Sequence, residues 1–217
     1  MTVKKLLALL LAVAALLSLC ACAASPEATT DAPTEAPTEA PTEVVTDAPT
    51  EAAPVEATLT DMIGRELTLT PGSYQRVVCI GAGALRMYSY VGDVSLLCGV
   101  EDIDNDTLSE RPKMFDAVAR PYVLAYSDTF RTLPSCGVGG PNAQAAEAEK
   151  ILACEPDIVI SEYEDVEKAD ALQEQLGVPV VTLRTGPNGV FDDAFAQSMT
   201  LLGTVFGEET KAQTLLT

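Results

Sequence analysis

The sequence predicts an α/β fold in which helices cover both faces of a doubly wound parallel sheet. Two observations predict this fold class. Short apolar runs rich in Val and Ile recur along residues 58–207, and most are followed by a stretch with helical periodicity. The runs also lack alternating polar residues, which is typical of strands buried on both faces.

The predicted elements follow in chain order. "TLTDMIGRELTLT" at 58–70 has β-prone residues on both sides of Gly64 and predicts a small hairpin. Five apolar runs predict the sheet: "RVVCIGAG", "VSLLCGVED", "PSCGVGGPN", "DIVISEY" and "VPVVTLRTG". Four stretches predict helices: "ALRMYSYVG", "AQAAEAEKILACEP", "DVEKADALQEQLG" and "FDDAFAQSMTLLGTVFGEETKAQTLLT". We expect breaks in the last helix at Gly203 and Gly207, and an irregular segment at 103–135.

Ligands of doubly wound sheets bind at the carboxyl ends of the strands. The residues expected at that edge are 81–86, Glu101, Asp102, 137–142, Glu162, Tyr163 and 184–186. "GAGALR" at 81–86 matches a dinucleotide-binding turn only in part, because Arg86 stands where a third glycine belongs. Two other interpretations stay open, a tight glycine turn and a loop that contacts a ligand.

The N-terminus has the pattern of an export signal. A basic head at 1–5 precedes an apolar run at 6–19, which is short for the roughly 20 residues that span a bilayer. "LCAC" at 19–22 resembles a bacterial lipobox, which implies a lipoprotein signal peptide at 1–22 with Cys22 as the lipidated residue. Cys20 fits less well, because Leu19 would precede it where a small residue is required. Ordinary secretion and a retained anchor are the alternatives.

Residues 23–57 repeat the pattern Ala-Pro-Thr-Glu. This segment has no aromatic residue, so it cannot bury enough apolar surface to offset the entropy of ordering. We therefore expect a disordered tether, extended by its prolines and its acidic charge.

Composition argues against several functions. A formal net charge of −19 disfavours nucleic acid as a partner. Histidine is absent, which removes the commonest metal ligand and the commonest general base. No nucleophile motif is present, so we expect no catalytic residue, no cofactor and no bound metal of the protein's own. The four cysteines after the tether have no zinc spacing and are expected as free thiols or as disulfides: Cys79, Cys98, Cys136 and Cys154.

Several local patterns together resemble the N-terminal lobe of the siderophore and cobalamin class of ABC-transporter substrate-binding proteins. They include "QRVVCIGAGALRMYSYVG", "CGVEDID", "RPYVLAY", "GVGGPNAQAAEAEKILACEPDIVISEY" and "LQEQLGVPVVTLRTG". The resemblance implies a receptor of two lobes joined by a long helix, with the ligand held between them. The resemblance assigns residues 58–207 to the N-terminal lobe and residues 208–217 to the truncated start of the joining helix.

The resemblance also implies site residues and partners. Glu149, seven residues before Pro156, takes the position of a carboxylate that docks onto the permease. Because ferric chelates are commonly anionic and flat-faced, arginines and aromatic residues near the strand ends are the candidate ligand contacts. They are Arg86, Arg120, Tyr122, Tyr126, Tyr163 and Arg184.

The function expected from these patterns is capture of a metal chelate outside the cytoplasm. The lipid-anchored receptor would bind iron(III) with a siderophore and deliver it to an ABC permease and its ATPase. A corrinoid or haem ligand, an exported α/β enzyme and a surface scaffold are the alternatives.

Overall fold

The computed structural model describes residues 55–107, 120–140, 143 and 145–217. The predicted signal peptide 1–22, with Cys22, and the predicted tether as far as residue 54 lie outside the described residues. In the part that is described, no helix is long and apolar enough to cross a membrane.

The predicted hairpin is present at the start of the described chain. Strands β1 (Ala57–Thr60) and β2 (Glu66–Leu69) pair antiparallel. Asp61 holds the turn, because its carboxylate accepts hydrogen bonds from the backbone amides of Ile63 and Arg65 and from the Arg65 guanidinium. Arg65 also donates to the carbonyl of Val180, which fixes the hairpin to the main sheet.

The main sheet has five parallel strands in the order β5-β4-β3-β6-β7. They are β3 (Val77–Ile80), β4 (Leu97–Glu101), β5 (Ser135–Gly137), β6 (Ile158–Ser161) and β7 (Val180–Thr182). All five coincide with predicted apolar runs. Their carboxyl ends lie at one edge of the sheet because the strands run in the same direction.

Seven α-helices connect or follow the strands in the described ranges. They are α1 (Ala84–Val91), α2 (Pro121–Ala125), α3 (Ser127–Phe130), α4 (Ala148–Ala153), α5 (Val166–Leu176), α6 (Asp193–Phe206) and α7 (Glu209–Leu215). Short 3-10 turns lie at Val94–Leu96, Asp102–Asp104 and Gly189–Phe191.

Alternate residues of β3 enter two different hydrophobic clusters. Val77 and Cys79 pack in the larger cluster with apolar residues of α1, α6 and α7. Val78 and Ile80 pack in the second cluster with Ile151 of α4 and residues of α5. Because successive side chains of a strand point to opposite faces, the helices cover both faces, and the predicted doubly wound α/β class is confirmed.

Three local predictions were wrong. Gly203 does not break α6, because the missing side chain lets α7 pack there: a Cβ on Gly203 would lie 2.8 Å from that of Ala212. The break falls at Gly207 alone, whose φ of 68° ends the helix. The described part of 103–135 is partly helical, since Pro121 starts α2 and α3 follows directly. Helix α4 is also shorter than the predicted stretch 143–156, because it begins at Ala148 and ends at Ala153.

Candidate functional site

An open cavity of about 520 Å³ lies at the carboxyl edge of the sheet. Residues that follow all five strands of the sheet contribute to its wall, from Gly81 after β3 to Thr185 after β7. The polar and aromatic side chains in the wall are Arg86, Tyr90, Glu101, Asp104, Arg120, Tyr122, Glu162 and Thr185. This is the position at which doubly wound sheets bind ligands.

The glycine turn after β3 brings the backbone close to the next strand of the sheet. Gly81 and Gly83 have φ values of 90° and 134°, which side chains rarely tolerate. A Cβ on Gly83 would lie 2.5 Å from Oε2 of Glu162. The turn therefore gives Glu162 room beside the start of α1, and it opens onto the cavity.

Asp104 organises one side of the cavity. The Arg120 guanidinium donates to the Asp104 carboxylate and to the carbonyl of Ile103, and the Tyr122 hydroxyl donates to the same carboxylate at 2.7 Å. Asp104 is only 4% exposed. Burial, followed by the charge of Asp104, raises the pKa of Tyr122, so its hydroxyl stays protonated and serves as a donor.

Glu101 lies at the floor of the cavity and is 4% exposed. Its Oε1 accepts a hydrogen bond of 3.0 Å from the backbone amide of Gly81. Burial raises the pKa of the Glu101 carboxyl to about 7, and the charges of Asp104, Asp102 and Glu147 act in the same direction. The hydrogen bond from Gly81 opposes this rise without cancelling it.

Arg86 and Glu162 both line the cavity, and Glu162 lies beside Gly83 of the glycine turn. Burial raises the pKa of Glu162, while the hydroxyl of Thr185, which donates to its carboxylate, and the charge of Arg86 oppose the rise. The Nε of Arg86 is buried, and no residue in the described ranges accepts a hydrogen bond from it. A buried donor without an acceptor costs about 1 to 3 kcal/mol, so this N–H lowers the stability of the site.

The structure brings three of the six predicted ligand contacts together and places the other three elsewhere. Arg86, Arg120 and Tyr122 line the cavity. Tyr126 packs on the main core, with its ring 6.0 Å from that of Phe130. Tyr163 lines a separate groove between α4 and α5, and Arg184 pairs with Glu164 at 2.9 Å.

Glu149 lies exposed on α4, and the four cysteines after the tether are free thiols. Cys79, Cys136 and Cys154 are buried, and burial raises the pKa of each thiol. Their thiolate fraction is therefore small, which makes them unreactive at neutral pH.

Sequence reasoning missed the roles of Asp104 and Tyr90. Asp104 was hidden inside "EDIDND", where it looks like one more surface acid. Its bond to Arg120 joins residues 16 apart in the chain, which periodicity does not reveal. Tyr90 belongs to the predicted helix α1, where an aromatic residue is usually a core residue, but it is half-exposed beside the cavity.

Comparison with known proteins identifies the fold independently. The profile of the periplasmic binding protein family matches residues 84–217, which is more than half of the chain. No curated protein matches the chain significantly.

Three solved structures illustrate the likeness of fold. The Haemophilus influenzae protein MolA, bound to molybdate, matches with a TM-score of 0.55 and 16% identity over 74% of this chain and 49% of its own. The Vibrio cholerae catecholate-siderophore binding protein VctP matches with a TM-score of 0.53 and 22% identity over 75% and 49%. The TroA-like protein FepB of Veillonella parvula matches with a TM-score of 0.53 and 18% identity over 73% and 45%.

This chain spans about half the length of these solved structures. The matched profile and the names of these neighbours describe binding proteins, and none describes an enzyme. The single parallel sheet, the cavity at its carboxyl edge and the profile match over 84–217 agree, and the chain belongs to the periplasmic binding protein family.

Proposed function

We propose that this chain forms the ligand-binding N-terminal lobe of a receptor for an ABC importer, and that its ligand is iron(III) held by a siderophore. The lobe would supply one wall of the binding cleft, and 208–217 would begin the connection to a second lobe. The ligand would be captured, enclosed and passed to the permease without chemical change.

One observation carries this proposal. Two arginines and two tyrosines, Arg86, Arg120, Tyr90 and Tyr122, line one open cavity at the ligand-binding edge of the sheet. The Arg86 guanidinium would donate to the oxygen atoms of a chelate, Arg120 is already bonded to Asp104, and the tyrosine rings offer apolar faces to the bulk of the ligand. The named neighbours include receptors for different ligands, so the argument for iron rests on this cavity.

The proposal includes a location outside the cytoplasm, which the family match supports. Cys22 would carry the lipid, and residues 23–57 would separate the lobe from the membrane. Two acyl chains suffice for stable anchoring, because each buried CH₂ contributes about 0.8 kcal/mol.

Equilibrium dialysis with radioactive iron tests the ligand. The full chain should retain ferrichrome or ferric enterobactin with a Kd of about 1 μM or tighter. Arg86→Ala should weaken binding by about tenfold or more, because it removes a guanidinium group that lines the cavity. Arg184→Ala is the matched control and should bind as the wild type does, since Arg184 pairs with Glu164 outside the cavity.

Two results would contradict the proposal. One is that the wild-type chain retains neither chelate. The other is that Arg86→Ala binds as tightly as the wild type while Arg184→Ala loses affinity.

A further inference from the structure

Two buried cysteines meet beside a glycine of the sheet. Cys136 lies in β5, and Cys154 follows the last residue of α4. A Cβ on Gly99 of β4 would lie 3.1 Å from the Cβ of Cys154 and 3.2 Å from the Cβ of Cys136. The two cysteine Cβ atoms are therefore no farther apart than these two distances together. The separation of roughly 3.5 to 4.5 Å that a disulfide requires falls within that bound.

The Cys154 thiol lies on the side of its helix that faces β5. Its Sγ fills the space that a side chain on Gly99 would take, 2.5 Å from the ideal Cβ position. The same Sγ is 3.9 Å from the carbonyl oxygen of Ser135, the residue before Cys136. Both cysteines pack in the second hydrophobic cluster, so they lie on the same face of the sheet. The absent side chain of Gly99 leaves the space in which the two sulfur atoms can meet.

The other two cysteines in the described ranges are less well placed for a bond to Cys136. Cys79 belongs to the larger cluster, on the opposite face of the sheet. Cys98 packs against the second cluster, but its Sγ lies 3.5 Å from the carbonyl oxygen of Val77 in β3. Since β4 separates β3 from β5, the Cys98 thiol lies toward the wrong neighbouring strand.

We infer that Cys136 and Cys154 are joined by a disulfide when the chain folds in an oxidising compartment, and that this bond ties the end of α4 to β5. Disulfides form and persist outside the cytoplasm, and the inference rests on the proposed function for that location alone. Strand β5 has three residues and pairs only with β4 among the described strands. The bond would hold this short edge strand where its hydrogen bonds are few.

The bond forms by thiol–disulfide exchange before the two cysteines are buried. In the folded chain burial raises the pKa of both thiols, so exchange is slow there, whereas the unfolded chain has more thiolate. One cysteine thiolate attacks a disulfide oxidant, such as oxidised glutathione, and releases one thiol. The other cysteine thiolate then attacks the mixed disulfide and releases the second thiol. The two cysteines lose two electrons and two protons, and the oxidant is reduced to two thiols.

Peptide mapping of the full chain tests the pairing. The chain is refolded from urea in reduced and oxidised glutathione, its free thiols are blocked with N-ethylmaleimide under denaturing conditions, and it is digested with trypsin without reduction. Trypsin cleaves after Lys150, which puts Cys136 and Cys154 in different peptides. We expect these two peptides to be linked to each other, and the peptides of Cys79 and Cys98 to carry the blocking group.

Thermal unfolding measures what the bond contributes. The wild type refolded in glutathione should melt at least about 5 °C above the wild type refolded in dithiothreitol, because a cross-link that closes a loop of about 20 residues constrains the unfolded chain. Cys136→Ala should show no difference between the two conditions, and Cys154→Ala is the second variant if Cys136→Ala fails to fold. Cys98→Ala is the matched control and should keep the full difference.

Several outcomes would overturn the inference. One is that the peptides of Cys136 and Cys154 both carry the blocking group, and another is a linked pair that contains Cys79 or Cys98. A wild-type melting temperature that is the same in both conditions, or that shifts equally in Cys136→Ala, contradicts the inference as well. No ligand enters these measurements, so the disulfide can be disproved while the receptor function stands, and a failed binding test leaves the disulfide intact.

Discussion

At the residue scale, the backbone at the carboxyl edge of the sheet determines the pKa of the Glu101 carboxyl group. The backbone of the glycine loop after β5 closes over it, since a Cβ on Gly139 would lie 2.5 Å from Oε2 of Glu101. The amide of Gly81 bonds Oε1 from the other side. The loop keeps water from the carboxyl group, and this burial is the main cause of the raised pKa of about 7, against which the Gly81 hydrogen bond acts.

The raised pKa of Glu101 makes folding stability depend on pH. The folded pKa of about 7 exceeds the ordinary value of 4.5, so the protonated form is favoured in the folded state. The contribution of Glu101 to the free energy of unfolding is fully present below about pH 4.5 and is lost as the pH rises through about 7. Ionisation of Glu101 should lower the free energy of unfolding by about 3 kcal/mol across that window.

Glu101→Gln removes the ionisable group and keeps an acceptor for Gly81. Urea unfolding at about pH 5 and about pH 8 should show a smaller loss of stability in Glu101→Gln than in the wild type. Glu174→Gln, on the exposed side of α5, is the control and should follow the wild type. An identical pH dependence in Glu101→Gln and the wild type would show that Glu101 does not titrate in this window.

At the element scale, α4 presents Glu149 to solvent while Ile151 anchors the helix to the second hydrophobic cluster. The buried face holds the helix in place, so an exposed carboxylate on it has a defined position. A rigidly held charge at an interface contributes orientation and association rate more than affinity. This geometry suits the permease-docking role that the family resemblance implies for Glu149, and we propose that role for it.

Glu149→Lys should slow uptake of the chelate by cells about tenfold, because it replaces attraction to the permease by repulsion. Binding of the chelate by the purified full chain should not change. Glu167→Lys makes the same charge change at an exposed position on α5 and is the control. Loss of ligand binding in Glu149→Lys would place this residue in the cleft rather than at the permease.

The elements were more predictable from sequence than the cavity wall. The strands and helices follow from local periodicity, and Gly177 ends α5 in the left-handed conformation that its position in the sequence predicts. The pairing of Arg120 and Tyr122 with Asp104 depends on how β4 and α2 pack, which no local pattern contains. From the sequence alone Arg120 is an available charge, whereas in the structure it is paired with Asp104.

At the scale of the whole molecule, two of the openings among the described residues are candidate ligand sites. One is the cavity at the carboxyl edge of the sheet, and the other is the groove of about 450 Å³ between α4 and α5, which contains Tyr163. Five of the twelve residues that line the groove are alanines, and Arg86 and Arg120 are not among them. The family fold and the convergent polar groups both favour the cavity.

The position of bound iron tests the central claim most directly. Anomalous scattering should be recorded from crystals of the full chain grown with the ferric chelate that it binds. We predict one iron site in the cavity beside Arg86, Tyr90 and Tyr122. Iron in the groove between α4 and α5, or no ordered iron in the crystal, would contradict the account.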